Sequence, residues 1–192
     1  MKINYKEVKK IKLSHLMHYV VRDEMKQNFY DDETSPHHYK LLSYISQQKD
    51  NQLIYELGTH WGLSSTALAE NKSNKIISYD VADRRHIKLP SNIERRVGNI
   101  FTLKQEHELL TADIIFLDTA HRGDFEDLVY KYLKLNEWKG ILILDDINFN
   151  TPMREFWNSI DVKKYDVTEV GHSEGNTGTG IVDFNNQVTL IK

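Results

Sequence analysis

The sequence predicts an α/β fold: a mostly parallel sheet covered by helices on both faces, with an antiparallel pair of strands added near the C-terminus. Three observations carry this expectation. Short apolar runs alternate with segments of helical period along the middle of the chain. Runs such as Ile141-Leu142-Ile143-Leu144 are apolar at every position, as strands buried on both faces must be. Beyond residue 164 the style changes, and two strand-like segments flank a loop rich in Gly, Asn and Thr.

The elements follow in order. The first fifty residues read as a helical preamble, with Leu16, Met17, Val20 and Val21 giving residues 14–25 an apolar face. Ser35-Pro36 reads as an N-cap and first helical residue, opening a helix over 37–48. Residues 53–57 form the first core strand and 63–70 a helix containing Ala67 and Ala69. Residues 75–81 form a second strand and 93–97 a weak third. Residues 102–110 fit a helix, and 112–117 (ADIIFL) a clear fourth strand. Phe125, Leu128, Tyr132 and Leu133 give 124–138 a helical spacing that Gly140 ends, and 141–144 is the fifth strand. Thr151-Pro152 opens a helix over 153–160. Segments 165–170 and 180–184 then form the antiparallel pair around GHSEGNTGTG. The expected organisation is one domain over 1–192, with a helical N-terminal cap over 1–50 and a sheet core over 51–192.

Composition narrows the function. The 192 residues are 40% hydrophobic and 28% charged, enough for a real core. There is no cysteine, which excludes disulfides, thiol catalysis and iron–sulfur clusters. A metal site must use Asp, Glu, His or carbonyl oxygens, a set that favours hard cations. The net charge of −3 argues against nucleic acid as a partner, and the lysines of the N-terminus read as a solvated helix face. No apolar run approaches membrane-span length, and the basic N-terminus lacks the apolar stretch of a signal peptide. A soluble, cytoplasmic protein is the expectation; a homodimer is compatible with it.

Ligands of open α/β sheets bind beyond the carboxyl ends of the strands. The first core strand runs into a turn framed by Gly58 and Gly62, at the start of a helix with free N–H groups. Position 60 carries His60 where a dinucleotide fold needs glycine. The second strand ends at Asp80, 22 residues after Gly58, where a carboxylate can accept both hydroxyls of a ribose. Singly, Gly58 reads more readily as only a turn glycine and Asp80 as only a strand terminator. Together and in this order they point to an adenosine ligand without a phosphate chain. The fourth strand ends in Asp118-Thr119-Ala120-His121 and the fifth in Asp145-Asp146. If these strands are neighbours, three carboxylates meet at one rim and share a proton or a cation such as Mg²⁺. The plainer alternative makes them caps and solvated strand ends.

These residues carry a family resemblance. Residues 52–184 resemble a class I S-adenosylmethionine-dependent methyltransferase with a Rossmann-like, doubly wound, seven-stranded sheet. Within that superfamily they are similar to the small metal-dependent O-methyltransferases of the catechol and sugar or macrolide types. The family's first motif matches Glu56-Leu57-Gly58-Thr59-His60-Trp61-Gly62-Leu63-Ser64, so the resemblance implies cofactor contacts at Glu56, Gly58, Thr59, Gly62 and Ser64. It places the ribose-binding acid at Asp80 and an adenine neighbour at Asn99, and implies Mg²⁺ or a similar ion on Asp118, Asp145 and Asp146. His121 falls where family members carry a catalytic base, beside Asp118. The alternative for His121 is a helix-start residue bonded to Asp118 or solvent. The implied activity is methyl transfer to a hydroxyl of a small molecule, with a sugar as one candidate. The chemistry is intelligible: a divalent ion lowers the hydroxyl pKa and an imidazole takes the proton near neutral pH.

Three departures from the family bear on the acceptor. Residues 82–92 are short where many members have a helix, Lys139-Gly140 replaces a Gly-Gly pair, and Gly123 stands where an aromatic residue is usual. The rival readings are a metal-independent methyltransferase acting on nitrogen or a macromolecule, and a non-catalytic binding module of the same fold. His60 and Trp61 line the cofactor or only pack the turn. His15, His18, His37 and His38 read as solvated or capping groups, and Tyr30–Tyr39 as a lid by analogy.

Overall fold

The computed structural model describes residues 1–31, 37–171 and 177–192. The N-terminal region contains β1 (Lys2–Asn4), α1 (Tyr5–Lys10), two 3₁₀ segments (Ser14–Tyr19 and Asp23–Phe29) and α2 (His37–Ser46). Then follow β2 (Leu53–Leu57), α3 (Leu63–Leu68), β3 (Lys75–Asp80), β4 (Ile93–Val97), β5 (Ile114–Leu117), α4 (Asp124–Leu135), β6 (Ile141–Asp145) and α5 (Thr151–Ser159). The chain ends with β7 (Lys164–Asp166), α6 (Thr168–Gly171), β8 (Thr179–Asp183) and β9 (Thr189–Ile191). Seven strands form one sheet in the order β4-β3-β2-β5-β6-β8-β7. The pairings from β4 through β6 are parallel, and β8 runs antiparallel to both β6 and β7. The mostly parallel sheet and the added antiparallel pair are therefore both present as expected.

Strands alternate their side chains between two buried faces. Tyr55, Leu57, Ile115, Leu117, Leu142 and Leu144 pack under α4 and α5 with Val129, Leu133 and Phe156. Ile54, Ile76, Phe116, Ile141 and Ile143 pack on the other side with Leu41, Ile45 and Leu68 of α2 and α3. Burial on both faces explains the unbroken apolar runs, each such side chain contributing roughly 1.5–3 kcal/mol of burial.

Local competition moved several boundaries. The 14–25 region is not one α-helix. Val21 N–H donates to the His86 carbonyl and Lys88 N–H to that of Tyr19, so backbone pairing with the 86–88 segment replaces helical bonds. The 102–110 helix is absent: one turn closes on Asn99, Lys104 takes φ +57°, and only Glu106–Thr111 is 3₁₀. The strand at 165–170 stops at Asp166, whose carboxylate caps α6 through Thr168 N–H at 2.9 Å. Helix α4 ends at Leu135, three residues short of the expected 138, and Glu137 follows at φ +52°. The cap of α5 is Asn150, one residue earlier than the sequence suggests. Strands β1 and β9 went unanticipated; they pair in parallel in a separate small sheet. The expected cap at Ser35-Pro36 lies outside the described residues, as does half of the GHSEGNTGTG loop, residues 172–176.

Candidate functional site

The sheet reverses its winding between β2 and β5, and a crevice opens there beyond the strand ends. Gly58, directly after β2, has φ +93°, and a Cβ on it would lie 1.6 Å from the Asp118 carbonyl oxygen. The chain then turns through Thr59–Gly62 into the N-terminus of α3. Asp80, ending β3, holds this turn. Its Oδ2 accepts from Thr59 N–H (3.0 Å) and His60 N–H (2.7 Å), and Oδ1 from Ala82 N–H at 3.2 Å. Burial alone raises the carboxyl pKa. The amide donors of His60, Ala82 and Thr59, with the charge of Arg95, outweigh it and hold the pKa below the usual range. His60 takes φ +45°, and its ring stacks on Trp61 with centroids 4.4 Å apart.

Behind the turn lies a buried polar chain. Glu56 is fully buried; its Oε2 accepts from the hydroxyls of Ser65 and Ser78 (the latter at 2.6 Å). Burial raises its pKa against the opposing hydroxyls of Ser64, Ser65 and Ser78 and the charge of Arg95. Arg95 reaches from β4 to donate to Thr59 Oγ1 at 3.0 Å and to the Ala82 carbonyl at 2.9 Å. Arg95, Ser65 and Ser78 were missed from the sequence. The available signal was a pair of arginines, Arg95-Arg96, inside the β4 segment.

Strands β5 and β6 are neighbours, so Asp118 and Asp145-Asp146 do approach one another. His121 stands between two of them, with Nε2 3.4 Å from Asp118 Oδ1 and 3.2 Å from Asp146 Oδ2. Desolvation, then the charges of Asp145 and Asp146, push the Asp118 pKa well up. Burial and the charge of Asp146 push Asp145 up to about 7, although Thr179 Oγ1 donates to it at 3.3 Å. Phe149 lies beside His121, ring centroids 5.5 Å apart, and is half exposed.

Gly58, Asp80, Asn99, Asp118 and His121 line one cleft of about 500 Å³, with Phe125 on its wall. That volume suits a nucleoside-sized ligand. Glu56, Thr59, Gly62 and Ser64 are not among the residues that line it, nor are Asp145 and Asp146; Thr59 and Gly62 belong to the turn, and Glu56 is tied to the start of α3 through Ser65. Asn99 spends Oδ1 on the Phe101 N–H at 2.9 Å. The donor chemistry fits a hard cation: three crowded carboxylates, two of them with raised pKa. The side chains as placed do not close around one, since among the described residues no three His, Asp or Glu groups converge as a metal-holding set.

The raised Asp145 pKa has a consequence for stability. In the unfolded chain this carboxyl ionises near pH 4; in the folded protein it stays protonated to about 7. The unfolded state is therefore favoured progressively across that window, and stability falls as pH rises through it. Asp145→Asn removes the penalty. At pH 8 it is expected to raise stability by roughly 2–4 kcal/mol, and at pH 4 to change it little. Chemical denaturation at the two pH values checks this; equal effects at both contradict it.

No protein-family model and no curated protein sequence matches this chain. Solved structures do resemble it. An O-methyltransferase from Bacillus cereus in complex with S-adenosylhomocysteine aligns with TM-score 0.53 at 18% identity, over 79% of this chain and 82% of that one. The S-adenosylhomocysteine-bound Podospora anserina methyltransferase PaMTH1 aligns at 0.54 and 13% identity, over 77% and 78%. The O-methyltransferase TomG from Streptomyces achromogenes, in complex with S-adenosylmethionine, aligns at 0.50 and 18% identity, over 76% and 78%. The chain has the fold of class I S-adenosylmethionine-dependent methyltransferases. Among the described residues, no helix is long and apolar enough to cross a membrane.

Proposed function

We propose that this chain, acting as one methyltransferase domain, transfers the methyl group of S-adenosylmethionine to a hydroxyl of a small molecule. One observation carries the reading: the Gly58–Asp80 turn and the Asp118–His121 pair open into the same cleft at the switch point of the sheet. A nucleoside ligand and a proton acceptor therefore share one chamber. The sulfonium of the cofactor supplies an already activated methyl group. Asp80 takes the ribose hydroxyls, Gly58 lets the ligand approach the backbone, and Asn99 lies toward the base. Glu56, Thr59, Gly62 and Ser64 keep the turn in shape. His121 accepts the proton of the acceptor hydroxyl, and Asp118 orients the imidazole and stabilises its charged form. Positioning is the site's main task.

Mg²⁺ or a similar ion belongs to this proposal. Asp118, Asp145 and Asp146 would hold it, and its chemistry would be to acidify the acceptor hydroxyl. The contact of His121 with Asp118 and Asp146 favours a second reading, in which these acids stabilise the imidazolium that forms when His121 takes the acceptor's proton and the reaction needs no metal. A sugar is one candidate acceptor. Work in the cytoplasm and a homodimer are compatible with the proposal.

Calorimetry with S-adenosylhomocysteine tests the core claim. The wild-type protein is expected to bind, and Asp80→Ala to weaken binding roughly 10–100-fold, as for loss of a charged hydrogen-bond acceptor of about 1.5–3 kcal/mol. Absence of heat with the wild-type protein sinks the cofactor assignment and favours a non-catalytic module. Methyl transfer that survives EDTA unchanged decides for the metal-free reading.

A further inference from the structure

We infer that Glu126 is a positioning residue that sets His121 in place. The inference rests on the reading of His121 as proton acceptor. Glu126 lies on α4, is 1% exposed, and is not on the cleft wall. A buried carboxylate is expensive unless its oxygens are used. Here both are used, and every partner is a donor from the loop after β5. Oε1 accepts from Thr119 Oγ1 at 2.6 Å and from His121 N–H at 3.2 Å. Oε2 accepts from Gly123 N–H at 2.9 Å.

Capping α4 needs only the Gly123 bond. The other two have a different effect. His121 takes φ +52°, a conformation that costs a non-glycine residue about 1–3 kcal/mol and persists only where neighbours over-determine it. Glu126 holds the peptide before His121. Asn150 holds the one after it, its Nδ2 donating to the His121 carbonyl at 2.6 Å while its Oδ1 caps α5. Clamped on both sides, the backbone of His121 fixes the direction in which its side chain leaves the chain. That direction brings Nε2 to 3.4 Å from Asp118 and 3.2 Å from Asp146. An acceptor-only carboxylate suits three donors; a glutamine would turn an N–H₂ toward at least one of them.

The test is nuclear magnetic resonance of the full chain, wild type and Glu126→Gln, with S-adenosylhomocysteine calorimetry alongside. In the wild-type protein the amides of His121 and Gly123 are expected to be protected from exchange. In Glu126→Gln their exchange is expected to quicken about 10-fold or more, as for loss of a bond to a charged acceptor. The imidazole resonances of His121 shift, while the amides of β5 stay as they were. If Glu126→Gln does not fold, the same readouts are taken on Glu126→Asp, which keeps the charge and shortens the reach. His121 ring resonances that coincide with wild type in a folded variant overturn the inference, because a mere helix cap moves Gly123 alone. An unprotected His121 amide in the wild-type protein overturns it outright. If the wild-type protein does not bind S-adenosylhomocysteine, the methyltransferase reading fails, and the resonances still decide whether Glu126 sets His121.

Discussion

Replacing Gly58 with alanine is expected to leave a protein that is markedly less stable and has lost its ligand cleft. Two costs add. The residue sits at φ +93°, outside the conformations that L side chains readily adopt. The new Cβ would also fall 1.6 Å from the Asp118 carbonyl oxygen, a backbone atom that cannot rotate away. Left-handed strain of about 1–2 kcal/mol and overpacking of about 1–3 kcal/mol together give a loss of roughly 2–5 kcal/mol. For a chain of this size that lowers the melting temperature by roughly 4–20 °C. Relief requires β2 and β5 to part at their carboxyl ends, so S-adenosylhomocysteine affinity is expected to fall with stability. Differential scanning calorimetry and titration of the same variant check both. An alanine variant that melts with wild type contradicts the close approach of Gly58 to Asp118.

His121→Ala is expected to reduce kcat about 10²–10⁴-fold, the range for removal of a general base. S-adenosylhomocysteine affinity should stay within about two-fold, because the nucleoside end of the cleft is built on Gly58 and Asp80 instead. The pH–rate profile should also lose the limb that the base contributes. The measurement is release of S-adenosylhomocysteine with an acceptor that the wild-type protein methylates. Unchanged kcat, with an unchanged profile, removes His121 from the chemistry. The alanine also frees Asp118 and Asp146 of their shared imidazole. If added Mg²⁺ raises turnover in this variant and leaves that of wild type unchanged, the wild-type reaction runs without a metal.

How far each feature could be read in advance depended on the range of the interaction behind it. Strands β2, β3, β5 and β6 were visible because burial on both faces demands apolar residues at consecutive positions. Gly58 and Asp80 were visible because a tight turn and a strand-end acid are local necessities whose order along the chain carries meaning. Residues 14–25 carried a helical face, yet pairing with the 86–88 backbone took their hydrogen bonds. That competition depends on a segment some seventy residues away. Strands β1 and β9 are three residues each, too short to announce themselves, and exist because the fold brings the chain ends together.

The same division runs through the site. Residue types along the chain were enough to name the acids, the imidazole and the glycine turn, and to point to a class of chemistry. Which of them share a chamber was settled by packing. The turn amides and Ala82 draw on Asp80, the sheet interior takes Glu56, and Asp145 and Asp146 are not among the residues that line the cleft. The clamp of Glu126 and Asn150 on His121 has no pattern in the sequence at all. It is made of three donors converging on one buried carboxylate and one amide reaching across from α5. Directional bonds between elements brought together by tertiary packing leave no periodicity behind, whereas burial does.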